Sequence, residues 1–89
     1  MEVSLHSKIL AFYETLIRLL PPKSQSDRTC FRRLGAWLQE AIADGRLSED
    51  VLTEVLSYAR ESRSPGVRNP RAVFMSILRK ELGYDPRNQ

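Results

Sequence analysis

The sequence predicts an all-α fold, a small bundle of four helices joined by short loops. Three observations carry this. Apolar residues recur at 3-and-4 spacing in four separate segments. Helix start and stop residues punctuate the chain at the edges of those segments. Nowhere does an alternating apolar–polar run of strand type appear, and there is no internal repeat or low-complexity tract.

The first helix is predicted over residues 4–20. Leu5, Ile9, Phe12, Leu16 and Leu20 form its stripe, and Leu10, Tyr13, Ile17 and Leu19 widen the apolar arc to about half the circumference. Pro21 and Pro22 end it, since neither can donate to a helical ladder.

A polar linker from Lys23 leads to the second helix, over 27–44, with Ser26 or Asp27 as the capping residue. Phe31, Leu34, Leu38, Ala41 and Ile42 make a narrow stripe, and Gly45 stands where a left-handed residue terminates a helix. The third helix, 49–62, starts on Leu47-Ser48-Glu49-Asp50. Ser48 is the expected N-cap, Leu47 and Leu52 the flanking apolar pair, and the two acids suit the positive end of the helix dipole.

The fourth helix, 70–82, opens with Asn69-Pro70, a capping residue followed by proline at the first helical position. Its arc is again wide, through Val73, Phe74, Met75, Ile77, Leu78 and Leu82. Gly83 closes it, and Asp85-Pro86 begins a tail. The wide arcs place helices 1 and 4 centrally, or leave them surplus apolar surface for a partner. Two versions follow for Leu10 and Ile17: a homodimer, or packing against helix 4 within one chain.

The 89 residues suit a single helical domain, 1–89, with a radius of gyration of about 12 Å. An apolar fraction of 42% and a mean hydropathy of −0.38 exclude a disordered or collagen-like chain. No segment has the length and apolarity of a membrane span, so no membrane partner is expected. The single Cys30 makes no internal disulfide and the first residues lack a secretory pattern, which points to a cytoplasmic protein.

Nothing in the pattern supports catalysis. His6 and Cys30 are the lone histidine and cysteine, too few for a zinc site, and no glycine loop of phosphate-binding type exists. His6 reads as a packed or half-exposed structural residue. Cys30 reads as a small buried filler rather than a thiol activated by Arg33. The expectation is a non-enzymatic module without cofactor or metal.

The chain carries fourteen Lys and Arg against eleven Asp and Glu, with an isoelectric point near 9.4. Most of the cations fall in three places: Arg28, Arg32 and Arg33; Arg60, Arg63, Arg68 and Arg71; and Arg79, Lys80 and Arg87. Arg79 and Lys80 suit a helix C-terminus. Arg28, Arg68 and Arg71 stand at helix N-termini, where the dipole disfavours a cation unless an anion visits. Arg28, Arg32, Arg33, Arg68 and Arg71 are therefore candidate contacts to DNA or RNA phosphate. The competing reading is solvated arginines beside acidic neighbours such as Asp27. Trp37 and Tyr58 sit on the flanks of their stripes and, with Leu10 and Ile17, are candidate interface residues; an edge-of-core role is the alternative for both aromatics.

The stretch Leu34–Leu82, with Leu-Gly-Ala-Trp-Leu, then Leu47-Ser-Glu-Asp-Val-Leu and Asn69-Pro-Arg-Ala-Val-Phe-Met-Ser-Ile-Leu78, resembles the C-terminal helical segments of plasmid and phage replication initiators and DnaD-type primosomal domains. The resemblance covers just over half of the chain, and the winged-helix domain usual in such initiators has no counterpart here. It implies binding to DNA or to a protein of a nucleic-acid-processing complex, and it transfers no residue role. The rival expectation is a protein–protein adaptor or inhibitor that docks through the apolar faces of helices 1 and 4.

Overall fold

Each of the four periodic segments forms a helix: α1 Leu5–Leu19, α2 Gln25–Ala43, α3 Asp50–Glu61 and α4 Pro70–Leu82. The computed structural model describes residues 4–84, and among these there is no strand. The expected tail from Asp85, including Arg87, lies outside the described residues. The radius of gyration is 12.7 Å.

The helix ends follow local chemistry. Ser4 caps α1, its Oγ accepting from the Ser7 N–H. The α2 cap is Ser24, earlier than the expected Ser26 or Asp27. Its Oγ accepts from the Asp27 N–H, while Asp27 Oδ2 accepts from the Lys23 N–H. This reciprocal pair satisfies two donors at once, which neither Ser26 nor Asp27 as cap would do. Gly45 (φ 78°) ends α2 as expected: the Arg46 N–H donates to Ala41 O and the Gly45 N–H to Ile42 O, a pair of bonds that needs the left-handed residue between them.

At α3 the expectation fails in one respect. Ser48 makes no capping bond; the first residue outside the helix is Glu49, already in right-handed helical backbone (φ −61°, ψ −23°). The chain enters through a tight turn, with the Val51 N–H donating to Ser48 O and the Leu52 N–H to Glu49 O. Backbone carbonyls thus take the donors that a Ser48 hydroxyl would have taken. Asn69 and Pro70 start α4 as expected, the Ala72 N–H donating to Asn69 Oδ1, and Gly83 (φ 69°) ends it.

The packing corrects the expected centre of the bundle. Helices α2 and α3 bury the most residues: Phe31, Leu34, Gly35, Leu38 and Ala41 on one, Val51, Leu52, Val55 and Ala59 on the other. Helix α1 buries Ile9, Phe12 and Leu16, and α4 only Phe74 and Leu78. Helix α1 packs on α2 and α3, and α4 packs on α3 rather than on α1. The wide arcs did not mark central helices because their margins stay at the surface. Leu10 is 51% exposed and Val73 37%, while Ile17 lies half-buried against the core. Leu10 therefore does not pack against helix 4 within the chain. Side chains close the remaining gap between α2 and α4, where Phe31 and Phe74 meet edge to face at 6.4 Å.

Candidate functional site

The five candidate arginines do not converge on one patch. Arg28, Arg32 and Arg33 are exposed on α2; Arg28 and Arg32, four residues apart, share a side of the helix, and Arg33 does not. Arg32 borders a shallow groove with Leu10, Tyr13 and Ala36 between α1 and α2. Arg33 lies on the opposite flank, bordering one hollow with Cys30 and another with Trp37 and Glu40.

Arg68 and Arg71 do come together. They line a cleft of about 440 Å³ where the end of α1, the start of α2 and the α3–α4 loop meet. Lys23 and Arg63 complete its charged rim, and the one carboxylate in it is Asp27. Leu19, Pro21, Val67 and Pro70 supply apolar wall over a floor of buried Leu20 and Phe31. The loop reaches this position because Ser62, fully buried, turns its hydroxyl back onto Tyr58 O (2.8 Å), and Gly66 (φ 89°) then reverses the chain.

Asp27 holds the cleft's order. Its Oδ2 is engaged by the Lys23 N–H at 3.0 Å, and its Oδ1 accepts from Arg71 Nε at 2.8 Å. Its side chain is only 14% exposed. Arg71 is therefore a paired cation at the start of α4, beside the Asp27 that the competing sequence reading named as an acidic neighbour of the arginines, and the carboxylate of α2 offsets the dipole penalty. The pairing runs through Nε, and the Arg71 side chain is 41% exposed. Lys23, Arg63 and Arg68 form no ion pair among the described residues. The first turn of α4 also keeps one free backbone donor. Pro70 has none, the Ala72 N–H bonds to Asn69 Oδ1 and the Val73 N–H to Asn69 O, which leaves the N–H of Arg71.

Sequence reasoning missed Lys23 and Arg63 as parts of this site and had Asp27 only as an acidic neighbour of the arginines. Arg63 lies in the same basic stretch as Arg68 and was legible by proximity. Lys23 and Asp27 join only through the fold.

The remaining candidates are structural or exposed singly. His6 is exposed. Cys30 donates to Met75 Sδ at 3.8 Å, and burial raises its pKa; Arg71 pulls it down, Asp27 raises it and Arg33 lowers it, in falling order. The expectation of a buried filler holds only in part, since Cys30 is half-buried and borders a surface hollow. Trp37 packs its ring on Tyr84 (centroids 5.0 Å apart, 58° between planes), and Tyr58 lies half-buried at the margin of the core. Desolvation, then Glu54, Glu81 and Glu61, raise the Tyr58 pKa, so its flank is acidic. Tyr84 went unnoticed in the sequence. It is 1% exposed, one residue beyond the left-handed Gly83, where an apolar residue commonly folds back onto a helix end. Among the described residues no group of three His, Cys, Asp or Glu gathers as metal ligands would, and no helix is long and apolar enough to cross a membrane.

No protein-family model, curated protein or solved structure matches the chain.

Proposed function

We propose that this chain is a non-enzymatic, cytoplasmic binding module that contacts nucleic-acid phosphate, as a replication-associated or other accessory of a nucleic-acid-processing complex. One observation carries the reading: Lys23, Arg63, Arg68 and Arg71 surround a single cleft that holds one carboxylate, both of whose oxygens are engaged inside the protein. Three of these four cations, Lys23, Arg63 and Arg68, have no carboxylate partner among the described residues, and Arg71 alone is paired, with Asp27; such an excess of clustered cations is the footprint of an anionic ligand. Exposed Arg28 and Arg32 lie outside the cleft and extend the positive surface along α2. Arg33 faces the other flank and contributes less. The likeness of Leu34–Leu82 to replication-initiator and DnaD-type helical segments supports the choice of nucleic acid over other polyanions.

The test is equilibrium binding of the full chain to labelled single- and double-stranded DNA and RNA across a salt series. Affinity should fall steeply with salt and depend little on sequence. Absence of binding at ~50 mM salt, where phosphate contacts are strong, removes this reading.

A second reading has its own observation. Leu10, the most exposed large apolar side chain among the described residues, borders the groove with Tyr13, Gly35 and Ala36. An adaptor that docks another protein, or a second copy of this chain, would use that face. Salt-insensitive association abolished by Leu10→Lys would favour it.

A further inference from the structure

The cleft at the start of α4 differs from a backbone-tracking basic stripe in two ways, and both bear on what it holds. Its cations converge on a concavity instead of running along a surface, and its walls are apolar. A volume of about 440 Å³ lies in the range of small-molecule sites, about 300–1,000 Å³. We infer that this cleft binds a phosphate monoester that carries an apolar or flat group, as a free nucleotide or as the phosphorylated end of a nucleic-acid strand. The inference rests on the nucleic-acid reading only for the identity of the carrier.

Charge favours a monoester. A phosphate monoester carries about −1.5 to −2 charges at neutral pH and three acceptor oxygens, against one charge for a diester. Here four cations face one carboxylate, and that carboxylate is already neutralised by the guanidinium it holds. Arg71 is set in advance: Asp27 holds its Nε at 2.8 Å, which restrains the guanidinium beside the cleft, and the side chain stays 41% exposed. The unengaged backbone N–H of Arg71 adds a donor on the same side, at the positive end of the α4 dipole. Arg63 and Arg68 reach in from the loop, and Lys23 from the opposite edge.

The apolar walls set the rest of the ligand. Leu19, Val67 and Pro70 are half-exposed, and none is aromatic. Aliphatic and proline surface can cover a ring without reading its edges, so the cleft selects for the phosphate and not for a particular base.

The test is a titration of the full chain, followed through its backbone amide resonances, with adenosine 5′-monophosphate, adenosine and inorganic phosphate. A second series uses a short thymidine strand with a 5′-phosphate, with a 3′-phosphate and with neither. Adenosine 5′-monophosphate should shift the amides of residues 67–73 and bind at least tenfold more tightly than either adenosine or inorganic phosphate. Arg63→Gln with Arg68→Gln should weaken it at least tenfold, with the helical circular dichroism unchanged. Arg79→Gln, at the far end of α4, should have no effect. If a terminal phosphate tightens the strand tenfold or more, the carrier is a strand end; if only the mononucleotide responds, it is a free nucleotide. Shifts confined to α2, or equal binding by the double variant and the unaltered chain, overturn the cleft proposal. A cleft that responds neither to adenosine 5′-monophosphate nor to a terminal phosphate also overturns it, and a long strand that still binds with a steep salt slope then leaves the broader nucleic-acid reading standing. Nucleotide binding in the cleft without any strand binding keeps the proposal and removes that broader reading.

Discussion

Both oxygens of Asp27 are committed, one to the α2 start and one to Arg71, so this side chain ties the second helix to the fourth. Asp27→Ala should destabilise by about 2 kcal/mol, a magnitude usual for hydrogen bonds to a charged group. Ser24→Ala should cost about 1 kcal/mol through the lost cap, or roughly 4–8 °C in Tm for a domain of this size. Ser48→Ala should stay within about 0.5 kcal/mol, because its hydroxyl caps nothing. Melting curves of the three variants in parallel check that order, and an equal loss at Ser24 and Ser48 would overturn it. Serine as a cap was legible in the sequence, but which serine was not. A Ser-x-x-Asp pair at Ser24 and a Ser-Glu-Asp run at Ser48 look alike on paper, and only backbone geometry separates them. Three groups among the described residues have raised pKa values, and of these Cys30 and Tyr84 should make stability depend on alkaline pH, Tyr58 standing at the margin of the core. Burial, the largest cause for both, raises the pKa of Cys30 from its ordinary 9.0 and that of Tyr84 from its ordinary 10.0. A folded pKa above the unfolded one gives stability that is complete below the unfolded value and is lost as pH rises through the folded value. The urea midpoint should therefore hold flat from pH 7 to about 9 and then fall, Cys30 contributing first. Cys30→Ala should flatten the first part of the fall; an unaltered profile would show the thiol to be freely solvated.

Among the helices, α4 is held by the fewest buried side chains, Phe74 and Leu78, with Tyr84 folding back just beyond its end. Its amides should exchange with solvent faster than those of α2 and α3, since local opening follows the amount of buried contact. Phe74→Ala should cost about 3–5 kcal/mol, through a lost ring and the cavity beside Phe31. That is a large part of a small domain's total stability, about 5–15 kcal/mol. Hydrogen exchange of the unaltered chain and denaturant unfolding of the variant measure both. Protection in α4 equal to that in α2 would show that the bundle opens only as a unit. All four helices could be read from periodicity and punctuation, and Gly45, Asn69 and Gly83 fell at the predicted ends. Which helices lie centrally could not. Apolar arc width counts side chains that are able to be buried, whereas burial depends on what a neighbouring helix covers. Leu10 and Val73 belong to wide arcs and remain in solvent, while the narrow stripes of α2 and α3 are covered almost completely. The cleft divides in the same way: Arg68 and Arg71 were near each other in sequence, but the Lys23 and Asp27 side reaches them only after α2 has packed beside α4.

Across the whole molecule charge is segregated more than the modest excess of fourteen cations over eleven anions suggests. The cleft gathers four cations around one carboxylate, while the Tyr58 flank lies among Glu54, Glu61 and Glu81. A polyanion should therefore approach from the cleft side and be repelled from the Tyr58 side. Two pairs of substitutions separate this from the adaptor reading. Arg63→Gln with Arg68→Gln removes two cations that have no carboxylate partner among the described residues, and should reduce the slope of log affinity against log salt by up to about two units without lowering Tm. Glu54→Gln with Glu81→Gln removes negative charge from the Tyr58 flank, outside the cleft lining, and should leave that slope unchanged, because no counterion is released there. The reverse pattern, with the acidic flank controlling association and the arginines silent, would identify a basic protein as the partner. Leu10→Lys supplies the independent axis. With its side chain 51% exposed it should not alter folding. If the chain associates with itself through the α1–α2 groove, the substitution should shift the mass from light scattering to that of a single 10.3 kDa chain while nucleic-acid affinity holds. A chain already monomeric before the substitution would remove self-association and leave the α1–α2 groove only as a face for a different protein, which the salt dependence of that association then separates from the cleft.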